Sequence, residues 1–245
     1  MENLIKEVKK KREFSGLPDS IVQKALENSD LDVKVARNFL RKYFGIFLTN
    51  KVLKGTGEDL LSKHISSKDR DYNLFYKKIF ENILEVGSVI DIGCGVNGFS
   101  YNFLSNIVGN SSYIGVEASG QLVEKLNSYF EKENLSEVCN VYNFDLFDIN
   151  RIKDLLKKSR KNRVVFLFQV IDAVENIEKN FSKRLILEIF EECEFIVISL
   201  PLRSLGGKTK FNVQRKWLMD FLEEKFLIEK DFVLGNERII IVRKK

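Results

Sequence analysis

The segment VIDIGCGVNGFS, Val89 to Ser100, joins a short apolar strand to a turn that is rich in glycine. Its glycines, Gly93, Gly95 and Gly98, satisfy the pattern G-x-G-x-x-G. This pattern is common in dinucleotide-binding domains but is a weak signal when it stands alone. Glycines are needed in such a turn because the backbone passes close to a ligand, where a Cβ atom would clash. The ligand must therefore be inferred from the rest of the chain.

Apolar strands alternate with amphipathic helices over the segment from Ser88 to Pro201. The predicted strands are SVIDIG, SYIGVE, VCNVYNFD, RVVFLFQV and FIVISLP. Helices are predicted at about residues 98–107, 120–133, 152–159, 177–192 and 213–225. This alternation is typical of a mostly parallel sheet with helices on both faces.

Two further strands follow, FLIEKDFVL and RIIIVRKK, separated only by Gly235, Asn236 and Glu237. They must pair as an antiparallel hairpin, because so short a connection cannot cross over the sheet. Five parallel strands and a hairpin form the seven-stranded, Rossmann-like sheet of S-adenosylmethionine-dependent methyltransferases. A dinucleotide-binding domain usually continues with β-α units instead. We therefore predict an α/β protein with the methyltransferase sheet.

Residues 1–87 show the apolar spacing of packed helices. The helix DSIVQKALE is expected to begin with Asp19 as its N-cap. We predict two domains: a small helical N-terminal domain at residues 1–87, docked on the sheet, and a methyltransferase domain at residues 88–245.

The composition excludes several classes of protein. The chain has 245 residues, 44% of them hydrophobic, so it can bury one large core and a small second domain. No stretch approaches the roughly 18 apolar residues of a membrane span. The segment MENLIKEVKKKREF lacks the apolar core of a signal peptide. We expect a cytoplasmic protein that does not associate with a membrane.

Metal and nucleophile chemistry has few residues available. His64 is the only histidine, and Cys94, Cys139 and Cys193 are far apart, without a C-x-x-C pair. A single histidine excludes a two-histidine metal site and leaves one candidate base for a Ser-His-Asp or Cys-His mechanism. The cysteines are interpreted as reduced packing residues. We predict that the protein binds no metal.

Positive charge is concentrated in three blocks of a chain whose net charge is +5. The blocks are Lys9-Lys10-Lys11-Arg12, RIKDLLKKSRKNR at residues 151–163, and RSLGGKTKFNVQRK at residues 203–216. Together they indicate a polyanionic partner. Any one of them could instead be the solvated face of a lysine-rich helix.

Acids stand at the ends of three successive predicted strands: Asp91, Glu117 and Asp145. Glu117, 24 residues after Gly93, can accept hydrogen bonds from both hydroxyl groups of a ribose. Methyltransferases also use an acid at the third strand end, near the adenine amino group. The alternatives are that Asp91 is a turn residue and Asp145 an Asx cap. The three acids and the hairpin favour S-adenosyl-L-methionine as the ligand of the glycine turn.

The methyl acceptor is narrowed by what the chain lacks. Enzymes that methylate amino groups of DNA or RNA carry an Asn/Asp-Pro-Pro-aromatic clamp after the fourth strand, where this chain reads FQVIDAVE. Enzymes that act on pyrimidine C5 need a nucleophilic cysteine, usually beside a proline, which none of the cysteines has. N7 of guanine has its lone pair in the ring plane and needs no general base. We therefore predict no catalytic residue and a reaction driven by positioning and electrostatics.

Four segments resemble the aminoglycoside-resistance 16S rRNA methyltransferases of the Arm/Rmt type. They are ARNFLRKYFGIFL at residues 36–48, HISSKDR at 64–70, ISLPLRSLGGK at 198–208 and GNE at 235–237. They occur in the family's order, and the match covers nearly the whole chain. The resemblance implies methylation of N7 of a decoding-site guanine of 16S rRNA in the assembled 30S subunit. It also implies a helical N-terminal domain that binds rRNA.

The resemblance places the cofactor site on HISSKDR, with His64, Ser66 and Arg70, and on Gly93, Glu117, Asp145 and Leu146. It implies that Arg70 pairs with the methionine carboxylate, which suits the guanidinium fork. The alternatives are a surface ion pair for Arg70 and a packing or capping role for His64. Asp91, Gly95 and Gln169 complete the predicted cofactor site.

The predicted RNA-binding residues lie in the first and third basic blocks. They are Lys9, Lys10, Lys11, Arg12, Arg203, Lys208 and Lys210. The segment RSLGGKTK follows the fifth strand, at the edge where open α/β sheets bind their ligands. Arg203 and Lys208 can therefore reach RNA phosphates near the methyl group. We expect 16S rRNA within the 30S subunit as the partner of a monomeric enzyme.

The chain departs from the family at two places near the cofactor or the target. Gln169 and Asp172 stand where the family usually has Lys and Pro, and Trp217 lies near the position of a tyrosine. These departures leave the methylated nucleotide open. The alternatives are a methyltransferase for another rRNA or tRNA base and a non-catalytic ribosome-binding factor of the same fold.

Overall fold

The computed structural model of the protein describes residues 1–45, 52, 54–55, 57–64, 68–202 and 215–245. Their strands form one seven-stranded sheet with the order β3-β2-β1-β4-β5-β7-β6. The strands are β1 Ser88–Ile92, β2 Ser112–Glu117, β3 Cys139–Asn143, β4 Arg163–Phe168, β5 Phe195–Pro201, β6 Leu227–Leu234 and β7 Glu237–Arg243. Strands β1 to β5 are parallel, and β7 is antiparallel to β5 and β6. The predicted fold class is confirmed.

Helices precede the sheet and connect its strands. Those before it are α1 Glu2–Lys9, α2 Asp19–Glu27, α3 Val33–Leu40, α4 Asp59–Lys63 and α5 Tyr72–Phe80. Those after β1 are α6 Tyr101–Val108, α7 Gly120–Lys132, α8 Ile149–Lys158, α9 Ile171–Ile177, α10 Phe181–Phe190 and α11 Lys216–Lys225. Within the described ranges, no helix has the length and apolar character needed to cross a membrane.

Alternating side chains of each strand enter two separate cores, one on each face of the sheet. In β1, Val89 packs on the face covered by α5, α6 and α7, whereas Ile90 packs on the face covered by α8 to α11. In β7, Ile239 and Ile240 divide in the same way. Burial on both faces explains why the central strands are continuous apolar runs in the sequence.

Helices α1 to α3 have a core of their own. Phe14 and Leu40 are fully buried in it, and Ala118 joins it from the loop after β2. The N–H group of Gly120 donates to the carbonyl oxygen of Gly16, with an N–O distance of 3.0 Å. These contacts dock the three helices at the carboxyl end of β2. Helix α5 packs in the core of the sheet instead, and the domain division at residue 87 stays a prediction.

The predicted N-cap of α2 is wrong. The helix begins at Asp19 itself, after Pro18 with φ −55°, and no side chain caps it. The carboxylate of Asp19 instead accepts a hydrogen bond from Lys9 Nζ at 2.6 Å. Proline suits this position because its fixed φ leads into a helix and its missing N–H group needs no partner.

The helix predicted at residues 177–192 is present as α10, but it begins only at Phe181, and the short helix α9 before it was not predicted. The chain forms α9 and then α10, with Asn180 between them at φ +63°. The carboxylate of Glu175 accepts from the N–H groups of Asn180 and Ser182 at the start of α10. Because this carboxylate satisfies N–H groups at the start of α10, the helix begins at Phe181 rather than at Ile177.

Candidate functional site

A cleft opens at the carboxyl ends of β1, β2 and β4, where open α/β sheets bind their ligands. Its walls are mainly apolar, and a few polar groups face into it. Several of the predicted cofactor residues line it together. They are His64, Arg70, Gly93, Gly95, Glu117, Leu146 and Gln169.

The glycine turn forms the floor of the cleft. Gly93 and Gly95 have φ values of +73° and +53°, which glycine adopts without the strain of a side chain. A Cβ atom on Gly93 would lie 2.5 Å from Val170 Cγ2, so packing alone excludes a side chain there. A Cβ atom on Gly98 would lie 2.8 Å from Leu126 Cδ2, in the core. Two glycines of the pattern therefore shape the cleft, and the third allows close packing.

Glu117 ties the glycine turn to the loop after β2. Its Oε2 accepts from the N–H group of Gly95 at 2.9 Å, and its Oε1 accepts from the N–H group of Ser119 at 2.8 Å. Burial raises the pKa of this carboxyl, although the backbone N–H groups lower it. Each carboxylate oxygen has a second lone pair, so both can still accept from ligand hydroxyl groups.

Arg70 lies in the cleft wall, and other side chains already hold its guanidinium. Its Nε and Nη2 donate to the two carboxylate oxygens of Glu237 at 3.0 and 2.8 Å. Its Nη1 donates to Asn97 Oδ1 at 3.1 Å, and the Phe75 ring lies 4.3 Å away. The alternative of a surface ion pair is wrong, because both side chains are buried. Burial opposes the charge of Arg70, but Glu237, Tyr72 and Tyr76 together outweigh it and raise the pKa of the guanidinium.

Asp91 lies beneath the floor and does not line the cleft. Its Oδ2 accepts from Asn97 Nδ2 at 2.7 Å and from the Tyr113 hydroxyl at 2.9 Å. Burial raises the pKa of this carboxyl to about 6, although the two hydrogen bonds act in the opposite direction. Asp91 is thus more than a turn residue: it supports the wall through Asn97. Its direct contact with a cofactor stays a prediction.

His64 lines the cleft beside the turn and is buried. Its ring Cε1 lies 3.9 Å from the position that a Cβ atom on Gly95 would take. Burial first, and then the charge of Arg70, lower the pKa of His64 to about 4. The imidazole is therefore neutral at pH 7. Ser66, predicted in the same motif, lies outside the described residues.

The predicted residues after β3 and β4 separate into two places. Leu146 and Gln169 line the cleft, and Gln169 has φ +58°. Asp145 instead lines a neighbouring groove, where its Oδ1 accepts from the N–H group of Phe147 at 2.9 Å. This is the Asx arrangement that the sequence left open. A contact between Asp145 and adenine stays a prediction.

Sequence reasoning missed a large part of the cleft. The missed lining residues include Phe147, Val170, Ala173, Val174 and Ile177, which form an apolar wall after β3 and along α9. Ile21 and Phe44 reach the cleft from the N-terminal helices. Nothing in the sequence marks these residues, because apolar side chains of a cleft and of a core look alike. Asn97, by contrast, lies in the glycine segment itself and could have been singled out as a buried amide beside Arg70.

The departure at Asp172 has a structural partner. Arg215 Nε donates to Asp172 Oδ1 at 2.8 Å, and Arg215 Nη1 donates to the carbonyl oxygen of Pro201 at 3.3 Å. Trp217 packs at the edge of the core on this face, with Lys183 Nζ 5.5 Å from its ring centroid. The ion pair therefore joins the start of α9 to the start of α11.

The first basic block lies at the same end of the sheet as the cleft. Gln121, at the start of α7, donates to the carbonyl oxygen of Arg12 at 2.6 Å. Lys9 and Lys10 pair with acids of the same helical layer, whereas Lys11 and Arg12 are exposed. Arg203, Lys208 and Lys210 lie outside the described residues. RNA binding by all of these residues stays a prediction.

The second basic block runs along α8 from the cleft end of the sheet to its opposite end. Arg151 lies at the cleft end and Arg163 opens β4 at the amino end. Lys153 Nζ lies 2.7 Å from Glu188 Oε2 of α10. The block is therefore no single surface, and part of its charge is paired within the molecule.

The described residues contain no cluster of metal ligands. No group of three or more His, Cys, Asp and Glu side chains in them could hold a metal ion. The three cysteines are buried and form no disulfide. That the protein binds no metal stays a prediction.

No family model matches the chain. In sequence, it is 25% identical over 192 residues to a 16S rRNA (guanine(1405)-N(7))-methyltransferase of Proteus mirabilis. The match covers 76% of this chain and 64% of that protein, so the chain spans less than two thirds of the relative's length.

Two solved structures resemble the fold of this chain. The 16S rRNA methyltransferase RmtF, in complex with S-adenosyl-L-homocysteine, matches with a TM-score of 0.71 at 14% identity over 100% of this chain and 98% of that chain. The 16S rRNA methylase ArmA matches with a TM-score of 0.59 at 23% identity over 83% of this chain and 98% of that chain. The predicted resemblance to the Arm/Rmt type of methyltransferase is confirmed.

Proposed function

We propose that this chain transfers a methyl group from S-adenosylmethionine to N7 of a guanine in the decoding site of 16S rRNA and so gives aminoglycoside resistance. The sequence match to a 16S rRNA (guanine(1405)-N(7))-methyltransferase carries the proposal. The fold supports it, since the similarity to RmtF extends over the N-terminal helices as well as the sheet. By contrast, the match to the N-terminal domain of EvdMO1 with S-adenosylhomocysteine bound covers only 72% of this chain, with a TM-score of 0.51.

The residues of the cleft suit S-adenosylmethionine. Glu117 would accept hydrogen bonds from the ribose hydroxyl groups, and Arg70 would donate to the methionine carboxylate. Leu146, Phe147 and Val174 offer an apolar surface for the adenine ring. The positive φ values of Gly93 and Gly95 keep the floor free of side chains.

The chemistry requires little from the protein beyond position. When bound, S-adenosylmethionine supplies a methyl group on a sulfonium sulfur; transfer forms one bond to guanine N7, breaks the sulfur–carbon bond and moves no proton. A general base is therefore unnecessary, and the neutral, buried His64 need not act as one. The cleft's task is to hold the methyl group in line with N7 and to exclude water.

The partner in this proposal is 16S rRNA within the 30S subunit, in the cytoplasm, and the enzyme acts as a monomer. Lys11 and Arg12 are exposed at the cleft end of the sheet, where RNA phosphates would have to approach. Phosphate contacts release counterions, so affinity for the 30S subunit should fall steeply as salt rises. Intact subunits should also be better substrates than naked rRNA, because the basic residues lie on separate segments.

The test is transfer of labelled methyl groups to purified 30S subunits, followed by mapping of the product by primer extension and mass analysis. We expect N7-methylguanine at one decoding-site position and aminoglycoside protection in cells that express the chain. Methylation of another rRNA or tRNA base would replace the proposed target. Binding to 30S subunits without any transfer would replace the enzyme with a ribosome-binding factor.

A further inference from the structure

We propose that Asn97 is a positioning residue that holds Arg70 in the orientation in which it receives the cofactor carboxylate. This inference rests on the proposed function, because it takes the carboxylate of S-adenosylmethionine as the ligand of Arg70. Asn97 would act through Arg70 and would not contact the reacting atoms itself.

Asn97 lies between two buried charges of opposite sign. Its Nδ2 donates to Asp91 Oδ2 at 2.7 Å, and its Oδ1 accepts from Arg70 Nη1 at 3.1 Å. The side chain is 6% exposed, so water does not compete strongly for either contact. One amide therefore connects Asp91, beneath the floor of the cleft, to Arg70 in its wall.

The orientation of this amide is fixed by what its neighbours can do. An ionised carboxylate only accepts hydrogen bonds, and a guanidinium only donates them. The NH₂ group of Asn97 must then face Asp91, and its carbonyl oxygen must face Arg70. Tyr113 strengthens this arrangement, because its hydroxyl donates to the same Asp91 oxygen at 2.9 Å. A side chain with a donor at one end and an acceptor at the other is needed here.

The consequence falls on Arg70. A guanidinium has five N–H groups. Glu237 takes two of them and Asn97 takes a third from a different nitrogen, so the plane of the group is fixed. These bonds leave one N–H group on Nη1 and one on Nη2, and these two would donate to the ligand carboxylate. Such an arrangement removes side-chain ordering from the cost of binding.

Asp91 is the group whose charge orients Asn97, and several titratable or charged groups face it. They are Tyr113 and Glu117 of β2, Tyr76 of α5, Cys94 of the glycine turn, and Arg70. Arg70 is the cation among them. A second carboxylate placed at position 97 would therefore meet Asp91 at hydrogen-bond distance and titrate together with it.

The test compares the affinity for S-adenosylhomocysteine, measured by calorimetry, in the wild type and three variants of the full chain. Asn97→Leu removes both hydrogen bonds and should weaken affinity about tenfold or more, the usual effect of leaving charged partners unpaired. The matched control is Asn127→Leu, because the amide of Asn127 bonds only to the backbone of Val141, away from the cleft. It should lower the melting temperature and leave affinity within about twofold.

The third variant, Asn97→Asp, has a readout that a merely structural role would not move. At low pH one shared proton lets the introduced carboxyl group donate to Asp91 and still accept from Arg70, as the amide does. As pH rises and this proton is lost, the two carboxylates repel each other and the arrangement fails. The ratio of variant to wild-type Kd should therefore rise with pH for Asn97→Asp and stay flat for Asn97→Leu. Taking the ratio cancels the titration of the ligand itself.

Three outcomes would overturn the inference. One is wild-type affinity in Asn97→Leu, and another is an equal loss in Asn127→Leu; both leave the proposed function intact if wild-type protein binds and methylates 30S subunits. The third is failure of the wild type to bind S-adenosylhomocysteine or S-adenosylmethionine at all, which would also overturn the proposed function.

Discussion

The two sides of the cleft are built from different kinds of interaction. The polar side is lined by Glu117, Arg70 and Asn97. Behind it, Glu237 accepts hydrogen bonds from Arg70 and Asp91 accepts one from Asn97, while Glu117 accepts from the N–H group of Gly95. The apolar side consists of Leu146, Phe147, Val170, Val174 and Ile177, which contribute area and shape. A buried charge that loses its partner keeps its full desolvation cost, whereas a trimmed apolar side chain loses only its own contacts. The polar side should therefore be sensitive to single substitutions and the apolar side tolerant of them.

The largest effect is expected for Glu237→Ala. It leaves the buried guanidinium of Arg70 without its carboxylate and should lower the free energy of unfolding by about 3–5 kcal/mol. Chemical denaturation of purified protein measures this. Replacing both partners, in Arg70→Leu with Glu237→Leu, should recover much of the lost stability, because no charge is then left unpaired. A double variant as unstable as Glu237→Ala would show that packing, rather than charge, holds this side together.

The next effect concerns pH and Asp91. Its pKa of about 6 in the folded protein lies above the ordinary value of 3.8, so the folded state holds this proton more tightly than the unfolded chain does. This contribution to stability is present below pH 4 and is lost as pH rises to about 6. Asp91→Asn removes this titration. The free energy of unfolding of the variant should therefore rise relative to that of the wild type by about 3 kcal/mol between pH 4 and pH 7.

His64 provides a control of opposite sign for that experiment. Its pKa of about 4 lies below the ordinary 6.5, so its contribution to stability rises as pH increases from 4 to 6.5. The free energy of unfolding of a His64→Gln variant should therefore decrease relative to the wild type over the pH range in which that of Asp91→Asn increases. Parallel stability curves for the wild type and Asp91→Asn would contradict the assignment of the raised pKa.

A smaller effect is expected for Glu117→Ala, measured as ligand affinity. Loss of the carboxylate removes the proposed acceptor of the ribose hydroxyl groups and should weaken binding of S-adenosylmethionine by about 1–3 kcal/mol. Isothermal calorimetry at fixed salt provides the measurement. Tight binding of NAD by the wild type, or unchanged affinity in the variant, would contradict this role.

The smallest effect is expected on the apolar side. Val174→Ala trims a buried side chain of α9 and should lower the free energy of unfolding by about 1–2 kcal/mol, with a change in cofactor affinity of only a few-fold. The same two assays measure both quantities. A loss of affinity as large as that of Glu117→Ala would remove the distinction between the two sides.

The sequence predicts the fold and part of the polar side of the cleft, but not the apolar side. The direction of the strands and the final hairpin could be inferred because alternation and connection length are local properties of the sequence. Glu117 and the glycine turn were found for the same reason, since each lies at a strand end. The partner of Arg70 was not found, because Glu237 is 167 residues away in sequence and meets it only through the fold. The apolar side was missed because apolar residues of a cleft carry no signal that separates them from core residues.

Arg215 has a further consequence for how this protein can change. Its contacts with Asp172 and with the carbonyl oxygen of Pro201 bring the two ends of the segment 203–214 to one point at the edge of the sheet. For a chain closed in this way, doubling the number of intervening residues costs only about 0.6 kcal/mol in loop-closure entropy. Chain closure itself therefore opposes insertions and deletions between these anchors only weakly. Selection on whatever this segment contacts can then proceed separately from selection on the sheet.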